Sequence, residues 1–106
     1  MAIEVLLHPE AIEDFDALDG SGRKSIAKKI DALSENPLLG DPLGNKMGMD
    51  LTGFYRLYAA RKKYRVVYRI LKGRVEIIEI VGIGKRDKAE IYKLVSKRLQ
   101  ALKVKL

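Results

Sequence analysis

The apolar residues of this chain fall into short runs, and their spacing predicts the element each run forms. Ile3-Glu4-Val5-Leu6-Leu7 is short and apolar, as a first strand would be. Pro9 follows where a helix favours proline. Glu10, Glu13 and Asp14 then place carboxylates in the first turns, at the positive end of the helix dipole. Ile12, Phe15 and Leu18 recur at helical spacing until Gly20-Ser21-Gly22 stops the run. A second helix is expected from about Arg23 to Asn36, with Ile26, Ile30 and Leu33 on one face and Asn36-Pro37 ending it. The short connection between them predicts an antiparallel helical hairpin.

Residues 37–53 carry Pro37, Pro42 and four glycines, which reads as an ordered loop anchored by Leu38, Leu39, Leu43, Met47 and Leu51. Three strands rich in Tyr, Val and Ile are then expected at 54–60, 64–71 and 75–83. The breaks between them, Arg61-Lys62-Lys63 and Lys72-Gly73, are short enough to demand antiparallel pairing. Asp87-Lys88-Ala89-Glu90 resembles a capping box and opens a last helix, along which Ile91, Leu94, Val95, Leu99 and Leu102 form an apolar stripe. The order β-α-α-β-β-β-α describes an α+β fold: an N-terminal strand, a helical hairpin, a three-stranded antiparallel meander completing one sheet, and a C-terminal helix.

Composition narrows the chemistry. With 106 residues the chain is expected to form a single domain over 1–106, and 47% hydrophobic residues suffice for a core. There is no cysteine and one histidine, His8. Thiol nucleophiles, disulfides, iron–sulfur clusters and multi-His metal sites are thereby excluded, and neither a metal nor a cofactor is expected. His8, at a strand–helix junction, reads as a structural or capping residue. No apolar run approaches the roughly 20 residues of a membrane span, and the N-terminus lacks the basic start of a signal peptide. A cytoplasmic location with no membrane partner is the expectation.

Charge is unevenly distributed. The net charge is +7, but residues 1–53 hold five basic and ten acidic side chains while residues 54–106 hold sixteen and four. The second half therefore favours a polyanion or an acidic protein, although a lysine-rich surface also serves solubility alone. Gly82-Ile83-Gly84-Lys85-Arg86 fails as a phosphate loop, because Glu79 stands at the first glycine's place and Arg86 follows the lysine. Its glycines are expected to let a strand end turn sharply. Glu10, Glu13 and Asp14 read as a solvated helix face. Arg56 and Tyr58 share one face of their strand, and Arg65 and Arg69 lie opposite Tyr64, Val66, Tyr68 and Ile70 on theirs. An even-length hairpin loop would bring Arg56, Tyr58 and Arg65 onto one surface, and a three-residue loop would separate Arg65 from the other two.

Leu51-Thr52-Gly53-Phe54-Tyr55-Arg56-Leu57, Tyr64-Arg65-Val66-Val67-Tyr68, the segment from Ile80 to Asp87 containing Gly84-Lys85-Arg86, and Glu90-Ile91-Tyr92 together resemble a RelE-type toxin of the RelE/ParE superfamily. The resemblance covers most of the chain. It implies a RelE-like fold and an endoribonuclease that cuts messenger RNA in the ribosomal A site, contacts ribosomal RNA, and is held inactive by a cognate acidic antitoxin. By the same resemblance Arg65, Arg86 and Tyr92 match catalytic positions, and Arg56, Tyr58, Lys62, Lys63 and Lys85 are candidate substrate contacts. Tyr58 stands where the family can have a lysine. That departure leaves the general base unassigned, with Lys62 and Lys63 as nearby alternatives. The chemistry suits the residues, since RNA brings its own 2′-hydroxyl nucleophile and arginines grip phosphate oxygens in a fork. Tyr92 could donate a proton or stack on a base. Two other readings share the sequence: a ParE-like toxin that binds DNA gyrase without chemistry, and a basic module that only binds RNA or an acidic protein.

Overall fold

A computed structural model of the chain describes residues 3–46, 48–72, 76–85 and 90–104. Strand β1 (Glu4–Leu7) leads into helix α1 (Pro9–Asp16) and helix α2 (Gly20–Glu35). Strands β2 (Asp41–Lys46), β3 (Met49–Ala59), β4 (Tyr64–Lys72) and β5 (Glu76–Lys85) follow, and helix α3 (Glu90–Val104) closes the chain. The five strands form one sheet in the order β1-β5-β4-β3-β2, with β1 parallel to β5 and every other pair antiparallel. The architecture is α+β, as expected. No described helix is long and apolar enough to cross a membrane.

Local chemistry explains the helix boundaries. His8 caps α1 by accepting a hydrogen bond from the Glu10 amide at its Nδ1, with Pro9 in the first turn. Asp19 caps α2 through the Gly22 amide at 2.6 Å. Gly20, Ser21 and Gly22 therefore form the first turn of α2 rather than a loop, because the aspartate supplies the acceptor that an N-terminus needs.

The segment expected to be a loop contains β2. Asp41 pairs with Arg56 and Pro42 with Tyr55, then the register shifts before Gly44 pairs with Leu51. Gly53, at φ +89°, sits on the β3 side of this irregularity. It reverses the usual alternation, so that Leu51 joins Phe54 on the same face of the sheet. Proline and glycine hide a strand whose pairing is irregular, and for that reason its pattern resembles a loop.

Two cores flank the sheet. Ala11, Ile26 and Leu33 of the hairpin helices pack with Leu57, Tyr64, Val66, Tyr68, Ile78 and Ile80 on one face. Leu43, Leu51, Val67 and Val81 meet Ile91, Tyr92 and Val95 of α3 on the other. Gly82 lies inside β5 rather than at its turning end. A Cβ there would stand 2.7 Å from Val95 Cγ2 and 3.0 Å from Ile91 Cδ1, so this glycine lets α3 approach the sheet. The expected capping residues 87–89 lie outside the described residues.

An ionic clamp ties α3 to α1. Arg98 donates to both oxygens of Asp14 at 2.8 and 3.0 Å and to the Val81 carbonyl at 2.9 Å, and its Nε lies 2.6 Å from Glu10. Asp14 also accepts the Ile83 amide. The bond to Asp14 raises the pKa of Arg98 above its ordinary value, against the opposing effect of burial. Glu10 and Asp14 thus hold the C-terminal helix in place. A purely solvated face does not describe them.

Candidate functional site

The β3–β4 loop, Ala60–Lys63, has an even number of residues, and its register sets Tyr58 opposite Arg65 and Arg56 opposite Val67. Arg56, Tyr58 and Arg65 consequently share the face that α3 covers. The Arg56 guanidinium lies 4.6 Å and that of Arg65 5.9 Å from the centre of the Tyr58 ring. From above, Tyr92 of α3 brings its ring centre within 4.8 Å of the Arg65 guanidinium. Two arginines and two tyrosines therefore form one cationic, aromatic-walled cluster.

The two arginines are held differently. Arg56 donates through Nη2 to Asp41 Oδ2 at 3.0 Å. Burial acts to lower the pKa of Arg56, but hydrogen bonds to Tyr92 and Asp41 outweigh it and leave the pKa raised. Arg56 is thus a braced, permanent cation. Arg65 has buried Nε and Nη1 atoms without a hydrogen-bond partner, and it makes no ion pair, among the described residues. Buried donors left unspent are costly, and an anion that accepts from them relieves that cost.

The other expected contacts divide. Lys62 stands over Tyr58 at 5.6 Å, on the site. Lys63 instead stands over Tyr64 at 5.6 Å, and Tyr64 belongs to the core under the hairpin helices. Lys85 pairs with Tyr64 in the ladder and so takes the same far face. Strand alternation thus turns Lys85 away from Arg65, and Lys63, at the end of the loop, turns to the same far face. Arg86 lies outside the described residues. Tyr92 is 1% exposed, so its ring is a wall of the site rather than an open platform for a nucleobase. Asp41 was absent from the expected set because its strand read as a loop.

The hairpin tip is strained. Ala60, Arg61 and Lys62 take φ values of 51, 56 and 70°, and the Lys63 amide closes the turn on the Ala60 carbonyl at 3.1 Å. Arg61 and Lys62 occupy the two central positions of a mirror-image turn that favours Asn-Gly. The strain sets exposed positive charge at the rim of the site.

Residues 5–90 match the model of the ParE toxin of type II toxin–antitoxin systems. The chain belongs to the RelE/ParE superfamily of type II toxins. A putative RelE-like toxin protein of Escherichia coli is 26% identical over 100 residues, covering 94% of this chain and all of that protein. The E. coli mRNA interferase toxin RelE is 25% identical over 89 residues, covering 84% of this toxin and 88% of RelE. The structure of a mutant E. coli RelE in the free state shares the fold at a TM-score of 0.70, with 23% identity and coverage of 93% and 99% of the two chains. The RelBE2 toxin–antitoxin complex of Mycobacterium tuberculosis matches at a TM-score of 0.67 and 25% identity, covering 81% of this toxin and 93% of that chain.

Proposed function

We propose that this toxin is a ribosome-dependent endoribonuclease that cuts messenger RNA in the A site, acts in the cytoplasm, and is neutralised by a cognate antitoxin. The observation that carries the reading is Arg65, a guanidinium with two unspent buried donors, set between Tyr58 and Tyr92 beside the braced cation Arg56. Such a site fits a phosphodiester whose charge grows in the transition state. Arg65 binds the scissile phosphate, and Arg56 adds fixed positive charge. Tyr92 holds Arg56 from the wall of the site. Arg86 is retained as a catalytic candidate by resemblance. Lys62, with Arg61 at the strained tip, meets the RNA backbone. The named activity of E. coli RelE and the presence of an antitoxin in the M. tuberculosis complex support this reading.

The test is a messenger on programmed ribosomes, incubated with the wild type or Arg65→Ala. The wild type should cut within the A-site codon, and the variant should be slower by about 10²–10³-fold, the usual loss when one transition-state donor goes. A second reading follows from the family model's ParE description: a gyrase-binding toxin without chemistry. Intact messengers together with gyrase trapped on DNA would select it.

A further inference from the structure

The ribonuclease reading needs a group to take the proton of the attacking 2′-hydroxyl, and Tyr58 occupies the place where a lysine could have stood. We propose that Asp41, on β2, is that general base. The inference rests on the ribonuclease reading and adds a residue to it.

Three observations carry it. Asp41 pairs with Arg56 in the β2–β3 ladder, and its Oδ2 accepts from Arg56 Nη2 at 3.0 Å, which fixes the carboxylate at the edge of the arginine–tyrosine cluster. Its side chain is 70% exposed, so a substrate hydroxyl can meet it without displacing protein. Among the described residues, the other carboxylates in ion pairs are engaged elsewhere. Glu79 binds Arg69 further along the strands, and Glu10 and Asp14 clamp Arg98. The charged and titratable groups facing Asp41 are Arg56 on β3, Tyr68 on β4 and, through Arg56, Tyr92 on α3. Ion-paired with Arg56, the Asp41 carboxylate presents only acceptor oxygens and can take the proton directly.

The step balances without a further reactant. The Asp41 carboxylate takes the 2′-hydroxyl proton as O2′ bonds to phosphorus. The P–O5′ bond breaks, and O5′ leaves as a hydroxyl with a proton from water. The products are a 2′,3′-cyclic phosphate and a 5′-hydroxyl end, and Asp41 returns its proton to solvent. Arg65 and Arg56 stabilise the phosphate charge throughout.

The experiment measures single-turnover cleavage at saturating programmed ribosomes, from about pH 6 to 8.5, for the wild type, Asp41→Asn and Asp41→Glu. Asparagine keeps an oxygen for Arg56, so circular dichroism and ribosome affinity should match the wild type. The wild-type rate should depend less on pH than that of Asp41→Asn. Asp41→Asn should fall by about 100-fold or more, the usual contribution of a general base, and its log rate should now climb with pH. Asp41→Glu should recover part of the loss. A wild-type log rate rising by about one per pH unit would overturn the assignment in favour of a lysine or tyrosine base. So would Asp41→Asn within about threefold of wild type. A wild type that binds ribosomes yet leaves every messenger intact would instead overturn the ribonuclease reading itself.

Discussion

Replacing Gly82 by alanine inserts a methyl group into the seam between β5 and α3. The new Cβ would lie 2.7 Å from Val95 Cγ2 and 3.0 Å from Ile91 Cδ1, well inside the ~3.5–4.0 Å of ordinary carbon contacts. Val95 and Ile91 are 0% and 2% exposed, so neither can swing into solvent. Either α3 lifts or these side chains leave their rotamers, and overpacking of this kind costs about 1–3 kcal/mol. A strand glycine in open space would behave oppositely, since alanine there gains about 0.4–1 kcal/mol from the unfolded chain. Val95→Ala alone should cost about 2 kcal/mol for the lost methyls and their cavity. In the double variant the methyl at 82 fills space that Val95 vacated, so its cost should fall short of the sum of the two single costs by about 1 kcal/mol or more. Urea unfolding followed by far-UV circular dichroism measures all four corners of the cycle, and the chain has no tryptophan to follow instead. A stabilising Gly82→Ala would refute the packing argument, as would additivity within about 0.3–0.5 kcal/mol.

Other perturbations test the frame and the rim of the site. The buried Tyr68 hydroxyl donates to the Pro37 carbonyl and accepts the Gly40 amide, each at 2.9 Å, so Tyr68→Phe should cost about 1–3 kcal/mol in urea unfolding. Burial raises the Tyr68 pKa, with Tyr55 and Asp41 adding to it and the Gly40 amide opposing. The folded state therefore holds this proton more tightly than the unfolded chain. That contribution is complete below the ordinary tyrosine range near pH 10 and is lost as pH rises through the raised value, so Tyr68→Phe should show the shallower alkaline decline. At the hairpin tip, Arg61→Asn with Lys62→Gly relieves two left-handed non-glycine residues and should stabilise the fold by about 1–2 kcal/mol. The same change should weaken ribosome binding and flatten its salt dependence; a destabilised variant would contradict the strain argument, and an equally tight one the placing of the tip against RNA.

Regular elements were legible in the sequence, and irregular or distant ones were not. The alternation of Tyr64, Val66, Tyr68 and Ile70 against Arg65 and Arg69 is local, and the sheet preserves it. Loop parity was the undecided quantity, and the Ala60–Lys63 loop resolves it in favour of one arginine-bearing surface. β2 escaped because Pro42 and the shift opposite Gly53 break the period on which strand reading depends. Asp41 escaped with it. Asp14 looked solvated because its partner, Arg98, lies 84 positions away and meets it only after α3 folds back on the sheet. Lys63 and Lys85 are basic in the right stretch of chain, yet charge counting cannot tell which face of a ladder a side chain takes.

The proposed arginine–tyrosine site cuts RNA with the RNA's own 2′-hydroxyl as nucleophile. Mapping the ends of the cut A-site messenger, with a matched message carrying a single 2′-deoxy nucleotide 5′ to the scissile bond, tests it most directly. The expected ends are a 2′,3′-cyclic phosphate on one fragment and a 5′-hydroxyl on the other, with no cut in the deoxy message. A 3′-hydroxyl with a 5′-phosphate, or undiminished cleavage of the deoxy message, would contradict it.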